Sequence, residues 1–192
     1  MPTIKVTDAT IEPITLAEAK LWTRIDIADE DTFFEQICLP AARQEAERRM
    51  NRSILTTTWK LQLDAFPDCP CIRLHWPVLQ SVTHLKYYDA DGVLQTMDPA
   101  SYVLDTTSEP ARLCLAPGLS WPATQTGRVN AVEVVYVSGW AATAQVPAPI
   151  KQWVALFAAT LFNNRELLTT AGSVAELKFA DGLLDGHKIW NV

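Results

Sequence analysis

Between residues 54 and 138 apolar side chains recur at every second position, whereas before and after that stretch they recur every third or fourth. This change of period constrains the fold more than any single motif, because period two marks strands and period 3.6 marks helices. Leu55, Thr57, Trp59, Leu61 and Leu63 alternate with Thr56, Thr58, Lys60, Gln62 and Asp64, the pattern of a half-buried strand. Further strands are expected over Ile72–His75, Ser81–Tyr88, Val93–Met97, Tyr102–Leu104, Arg112–Leu115 and Ala131–Val137. The last is apolar on both faces and reads as a central strand. Asp89-Ala-Asp-Gly92 supplies a turn, and Pro67, Pro70, Pro77, Pro99, Pro110, Pro117 and Pro122 all fall between strands.

The flanks are helical. Thr15-Leu-Ala-Glu18 has the form of a capping box, and a short helix to about Ile25 follows it. Asp29, Glu30 and Asp31 precede a longer helical stretch, about Asp31 to Asn51, whose far end carries Arg48, Arg49 and Arg52. Both ends thus complement the helix dipole. Its apolar stripe is Phe34, Ile37, Cys38, Ala41, Ala42 and Ala46. Pro40 lies inside the stripe and should either kink the helix or divide it in two. Pro149 opens a third helix, with Ile150, Trp153, Val154, Phe157, Ala158 and Leu161 at helical spacing. The expected fold is α+β: N-terminal helices and a C-terminal helix packed together, with an inserted antiparallel β region of about six or seven strands. The parts are residues 1–53 (helical), 54–145 (β), 146–168 (the completing helix) and 169–192 (an extended docking tail).

Composition limits the chemistry. Sixteen basic against 22 acidic residues give a net charge of −6, and no block of five like charges occurs, which argues against a simple nucleic-acid binder. Residues 1–10 lack the apolar core of a signal peptide. The longest apolar run, Trp153 to Phe162, is half of the ~20 residues that a membrane-spanning helix needs. Cytoplasmic synthesis with reduced thiols at Cys38, Cys69, Cys71 and Cys114 is expected, Cys38 and Cys114 reading as core. Cys69-Pro-Cys71 has the wrong spacing for zinc and no partner pair. The acidic group Asp26, Asp29, Glu30 and Asp31 lacks the glycine and closing glutamate of an EF-hand. No nucleophile-elbow, phosphate-loop, dinucleotide or zinc-protease motif is present. His75 and His84 are read as surface or pairing residues on strands. No catalytic residue, metal or cofactor is expected, and the chain is not read as an enzyme.

Two surfaces stand out. Trp76-Pro77 and Trp121-Pro122 sit in loops, where the indoles either form an exposed contact surface or plug the open ends of the β region. In the first case a β-rich module binding a carbohydrate or protein ligand is an alternative function. Arg43, Arg48, Arg49 and Arg52 form either a patch for a partner's acidic surface or for DNA phosphate, or, more commonly for such residues, a solvated face.

An ordered series of segments carries a family resemblance. Glu12-Pro-Ile-Thr-Leu-Ala-Glu-Ala-Lys20, the aspartate-rich link Asp26–Asp31, Ala41-Ala-Arg-Gln-Glu-Ala-Glu47 and Asn51-Arg-Ser-Ile-Leu-Thr-Thr-Thr-Trp59 come first. Tyr87-Tyr-Asp-Ala-Asp-Gly92, Asp98-Pro-Ala-Ser-Tyr102, Val146-Pro-Ala-Pro-Ile-Lys-Gln152 and Leu183-Leu-Asp-Gly-His-Lys-Ile-Trp190 follow. Together they resemble the head–tail connector (adaptor, head-completion) proteins of tailed bacteriophages, in the longer form with a β insertion. Pro40 departs from a helix that is usually unbroken in that family.

The resemblance implies a structural virion protein assembled in the host cytoplasm. It implies a homo-oligomeric ring, a dodecamer on the virion, lying between the portal protein and the tail or stopper protein. Such a ring continues the DNA channel and completes the head after packaging. DNA passes through without specific binding, and no membrane is involved. Charge separation along the second helix then suggests Asp29, Asp31, Glu35, Arg48, Arg49 and Arg52 as subunit-interface residues. Leu183, Leu184, Ile189 and Trp190 either fold back on the protomer's own helices or dock on a neighbour or the portal, and docking is the expectation.

Overall fold

The computed structural model describes residues 3–24, 28–164 and 178–190. The chain divides into two compact units, one of Met1–Thr10 with Thr56–Ala141 and one of Ile11–Leu55 with Ala142–Val192. The fold is α+β.

The first unit is β. Its strands are β1 (Thr3–Thr7), β2 (Thr57–Leu63), β3 (Cys71–Leu74), β4 (Leu79–Tyr88), β5 (Leu94–Thr96), β6 (Tyr102–Asp105), β7 (Ala111–Leu115) and β8 (Val132–Ser138). All pairings are antiparallel, in a five-stranded sheet of order β1-β2-β8-β4-β5 and a three-stranded sheet of order β3-β7-β6. Strict alternation along β2 buries Thr57, Trp59, Leu61 and Leu63 and leaves the residues between them half-buried. β8 lies at the sheet's centre, which is why Val134, Val135 and Tyr136 are all buried in succession. One apolar core joins Trp59, Leu61, Leu85, Val134 and Tyr136 of the larger sheet to Ile72, Leu74 and Leu113 of the smaller. Gly92 closes the β4–β5 hairpin at φ +80°, a conformation that side-chain-bearing residues rarely adopt.

Two features of this unit differ from the sequence reading. Thr3–Thr7, grouped there with the helices, is a strand that pairs with β2. Its only support in the sequence is the short alternation of Ile4 and Val6, which leaves those side chains 50% and 53% exposed at the sheet edge. The thiols expected to be reduced include a bonded pair: Cys71 and Cys114, directly opposite each other on β3 and β7, form a disulfide. Cys38 (buried) and Cys69 (exposed) are not disulfide-bonded.

The second unit is helical, with α1 (Leu16–Thr23), α2 (Asp31–Phe33), a π turn (Phe34–Cys38), α3 (Leu39–Met50), α4 (Ala148–Asn163) and α5 (Lys178–Asp185). The capping box forms as read: the Thr15 hydroxyl accepts from Glu18 N–H at 3.2 Å, and Thr15 N–H donates to the Glu18 carboxylate at 2.8 Å. Such a cap is worth about 1 kcal/mol. Pro40 does not split the second helix, since helical backbone runs without a gap from Asp31 to Met50. The backbone widens to a π turn just before it, where Leu39 N–H donates to Phe34 O, five residues back. A wider turn relieves the clash between the proline ring and the carbonyl four residues behind. Phe34, Leu39, Ala42, Ala46 and Met50 are buried, as are Ile150, Trp153, Val154 and Ala158 of α4, and Phe34 meets Phe162 edge-on at 5.4 Å.

Candidate interaction surfaces

Asn51 at φ +53° ends α3 in the left-handed conformation, and Lys20 on α1 reaches Asp31 at the start of α2 at 2.6 Å. The helical rod Asp31–Met50 therefore has two distinct ends, and the candidate interface residues divide between them.

The basic end is partly internal. Arg43 is 2% exposed and bonds Glu12 at 3.0 Å and Glu47 at 3.2 Å, while Glu47 also accepts the Ile54 N–H at 2.9 Å. Arg52 is 5% exposed, and its Nε donates to His187 O at 3.0 Å. Neither can meet a partner, so the arginine patch shrinks to Arg48 and Arg49, and Arg52 leaves the interface set. Arg48 forks onto Glu45 at 2.8 and 2.6 Å, and Arg49 reaches the same carboxylate at 2.8 Å. The Arg48 guanidinium, with Arg49 beside it, holds the Glu45 carboxyl down to about 2, so this cluster stays ionised at neutral pH. Arg49 also lies 5.2 Å from the Trp153 ring centroid. Arg48 is the outward member, with its side chain 71% exposed.

The tail folds back onto this end. Ile189 N–H donates to Met50 O at 2.8 Å, and Asn51 Nδ2 donates to Ile189 O at 3.1 Å. Leu184 is 3% exposed and α5 packs against α3 and α4. Residues 169–177 of the expected docking tail lie outside the described residues; in the rest the fold-back alternative is seen, with Leu184 in the protomer's own core and Leu183 and Ile189 half-buried. Spacing alone could not show the return to α3, because its hydrogen bonds join residues more than a hundred positions apart. Trp190 remains outside, 66% exposed, with Lys188 Nζ 4.5 Å from its ring centroid. Arg48, Arg49, Asn51, Leu184, Asp185 and Lys188 line a polar cavity of about 380 Å³ at this corner.

At the other end Asp29 and Glu35 are exposed, and Asp31 is engaged by Lys20. Ile37, on the π turn, is 56% exposed although the helical stripe placed it inward, whereas Cys38, Ala42 and Ala46 of the same stripe are buried. The sequence reading missed a further apolar surface: Trp22 is 45% exposed and lines a groove of about 420 Å³ with Ala148, Gln152, Ala155 and Leu156.

In the β unit, the loop tryptophans plug rather than protrude. Trp76 stacks on Trp59 at 4.6 Å, and Trp121 stacks on Phe66 at 4.6 Å and donates its Nε1–H to Cys69 O at 2.9 Å. Both are half-buried against the core, so each has one indole face occupied inside the protein. His75 and His84 are not cross-strand partners, since β3 pairs with β7 while β4 pairs with β8 and β5. His84 instead faces Glu133 at 3.3 Å, and Lys60 meets the same carboxylate at 2.9 Å. The His75 carbonyl accepts the buried Tyr136 hydroxyl at 2.8 Å.

No family model and no curated protein matches the chain. Solved structures do. The chain superposes on one from the virion of a native gene transfer agent (GTA) particle with a TM-score of 0.81 and 23% identity, over 100% of this chain and 97% of that one. A chain from the neck of an empty GTA particle, computed with C6 symmetry, gives 0.79 and 24% over 100% and 97%. One from the neck of a native GTA particle, computed with C12 symmetry, gives 0.72 and 22% over 98% and 97%. Both units and their order along the chain are thus those of chains found in GTA particles.

Proposed function

We propose that this chain is a structural component of the neck of a phage-like particle. Copies form a ring, a dodecamer, between the portal and the tail, which continues the DNA channel and completes the head. The observation that carries this reading is the whole-length likeness of fold to chains from GTA necks treated with C6 and C12 symmetry. The ordered connector-like segments from Glu12 to Trp190 support it independently. A net charge of −6, repeated around a ring, suits a lining past which DNA slides without sticking. The chain is made in the host cytoplasm and ends at the head–tail junction.

The purified chain tests this directly. Light scattering and negative-stain imaging over a concentration series should show closed rings, or assembly that grows with concentration. A strictly monomeric chain at high concentration, with the portal added as well, contradicts the reading.

A further inference from the structure

Three of the four cysteines meet at one end of the smaller sheet. Cys71 and Cys114 are bonded to each other and half-buried, directly opposite on β3 and β7. Cys69 is exposed and not disulfide-bonded. Its Sγ–H donates to the Cys71 carbonyl at 3.0 Å, which sets the outer sulfur against the residue that carries one half of the bond. Two further contacts hold this approach. Trp121 Nε1–H donates to Cys69 O at 2.9 Å, and Leu115 N–H, next to Cys114, donates to Pro70 O at 2.9 Å. Asp68 and Pro70, the chain neighbours of Cys69, line a groove of about 470 Å³ together with Leu115 and Trp121.

Access separates the three sulfurs. Exchange begins when a thiolate reaches a sulfur of an incoming disulfide, and covering the attacking sulfur slows it. Cys71 and Cys114 are half covered, whereas Cys69 stands in solvent beside the groove.

We propose that Cys69 is the entry thiol through which the Cys71–Cys114 bond exchanges with low-molecular-weight disulfides and thiols of the glutathione class, with the groove as their seat. In the closing direction the Cys69 thiolate attacks one sulfur of the small disulfide RSSR, and one RS⁻ leaves. The Cys71 thiolate then attacks Cys69 Sγ and expels the second RS⁻. The Cys114 thiolate attacks Cys71 Sγ and expels Cys69 as thiolate. In sum, two cysteine thiols and RSSR become Cys71–Cys114 and two RSH. Two electrons pass from Cys71 and Cys114 to the small disulfide, and their two protons end on RSH. Cys69 returns to the non-bonded form that the structure holds. Opening retraces the steps with RSH as the reductant. The order follows the two proximities, Cys69 to Cys71 and Cys71 to Cys114. The β3–β7 staple thus follows the thiol balance of its surroundings, open in a glutathione-reduced cytoplasm and closed outside it. The inference is independent of the neck reading.

The test reduces the full-length chain without denaturant, removes the reductant and adds oxidised glutathione. Samples are quenched with acid, alkylated and mapped by peptide mass. The natural chain should carry glutathione first on Cys69 and end with Cys71–Cys114. Cys69→Ser should reach the same bond about tenfold more slowly, with its melting temperature within about 1 °C of the natural chain. Cys114→Ser should stop the relay with Cys69 oxidised, joined to Cys71 or to glutathione. Opening of the bond in the folded, oxidised chain by excess reduced glutathione needs no reduced starting chain, and Cys69→Ser should slow it by a similar factor. Closure and opening at the natural rate in Cys69→Ser, or glutathione found first on Cys71 or Cys114, would overturn the proposal. So would a natural chain that never forms the bond.

Discussion

Removing Gly182–Val192 should lower the melting temperature of the dilute monomer by about 6–12 °C. The deleted segment carries Leu184, which is 3% exposed, and the Ile189 and His187 backbone groups that bond Met50, Asn51 and Arg52. Deleting one buried leucine side chain costs about 2–5 kcal/mol. Some 3 kcal/mol corresponds to that temperature range at this chain length. The loss also withdraws the His187 carbonyl from Arg52, a buried guanidinium, which adds to the penalty. Calorimetry or far-UV melting at low concentration checks this, since assembly then contributes nothing. A truncated chain that melts with the full-length one would return the tail to a free docking segment.

The second large effect concerns a charge that the sequence offers as surface. Arg43→Met should destabilise the chain by about 3–5 kcal/mol, because it withdraws the cation facing Glu12 and Glu47 where Glu47 is only 3% exposed. Arg43→Met combined with Glu47→Gln should recover part of that loss. The neutral amide needs no cation, and its carbonyl oxygen can still accept the Ile54 N–H. Denaturant unfolding of the two variants measures both values. If the double variant is less stable than Arg43→Met by the full cost of a second independent substitution, the network is not coupled as described.

The legible parts of this fold are those whose signal is local. β2 and β8 show their burial in successive residues, and the α1 cap shows itself in Thr15 and Glu18 alone. Pro40 announced an irregularity without its form, since a π turn, a kink and a break share the same missing N–H. What stayed hidden depends on pairing across long separations. The Cys71–Cys114 bond needs the β3–β7 register, and the return of Ile189 to Met50 needs the tail's path. Arg43 and Arg52 look like Arg48 in sequence, and only packing separates the buried two from the exposed one. The tryptophans were ambiguous for a related reason: a loop indole stacked on Trp59 or Phe66 has the same sequence context as one facing solvent.

The central claim is a place in a particle, and a focused reconstruction of the neck of particles carrying this chain tests it most directly. The account predicts density for the α+β protomer repeated as a closed ring at the junction of head and tail. Particles that assemble completely with this chain absent from the neck, or with its density found only in the shell or the distal tail, would contradict it.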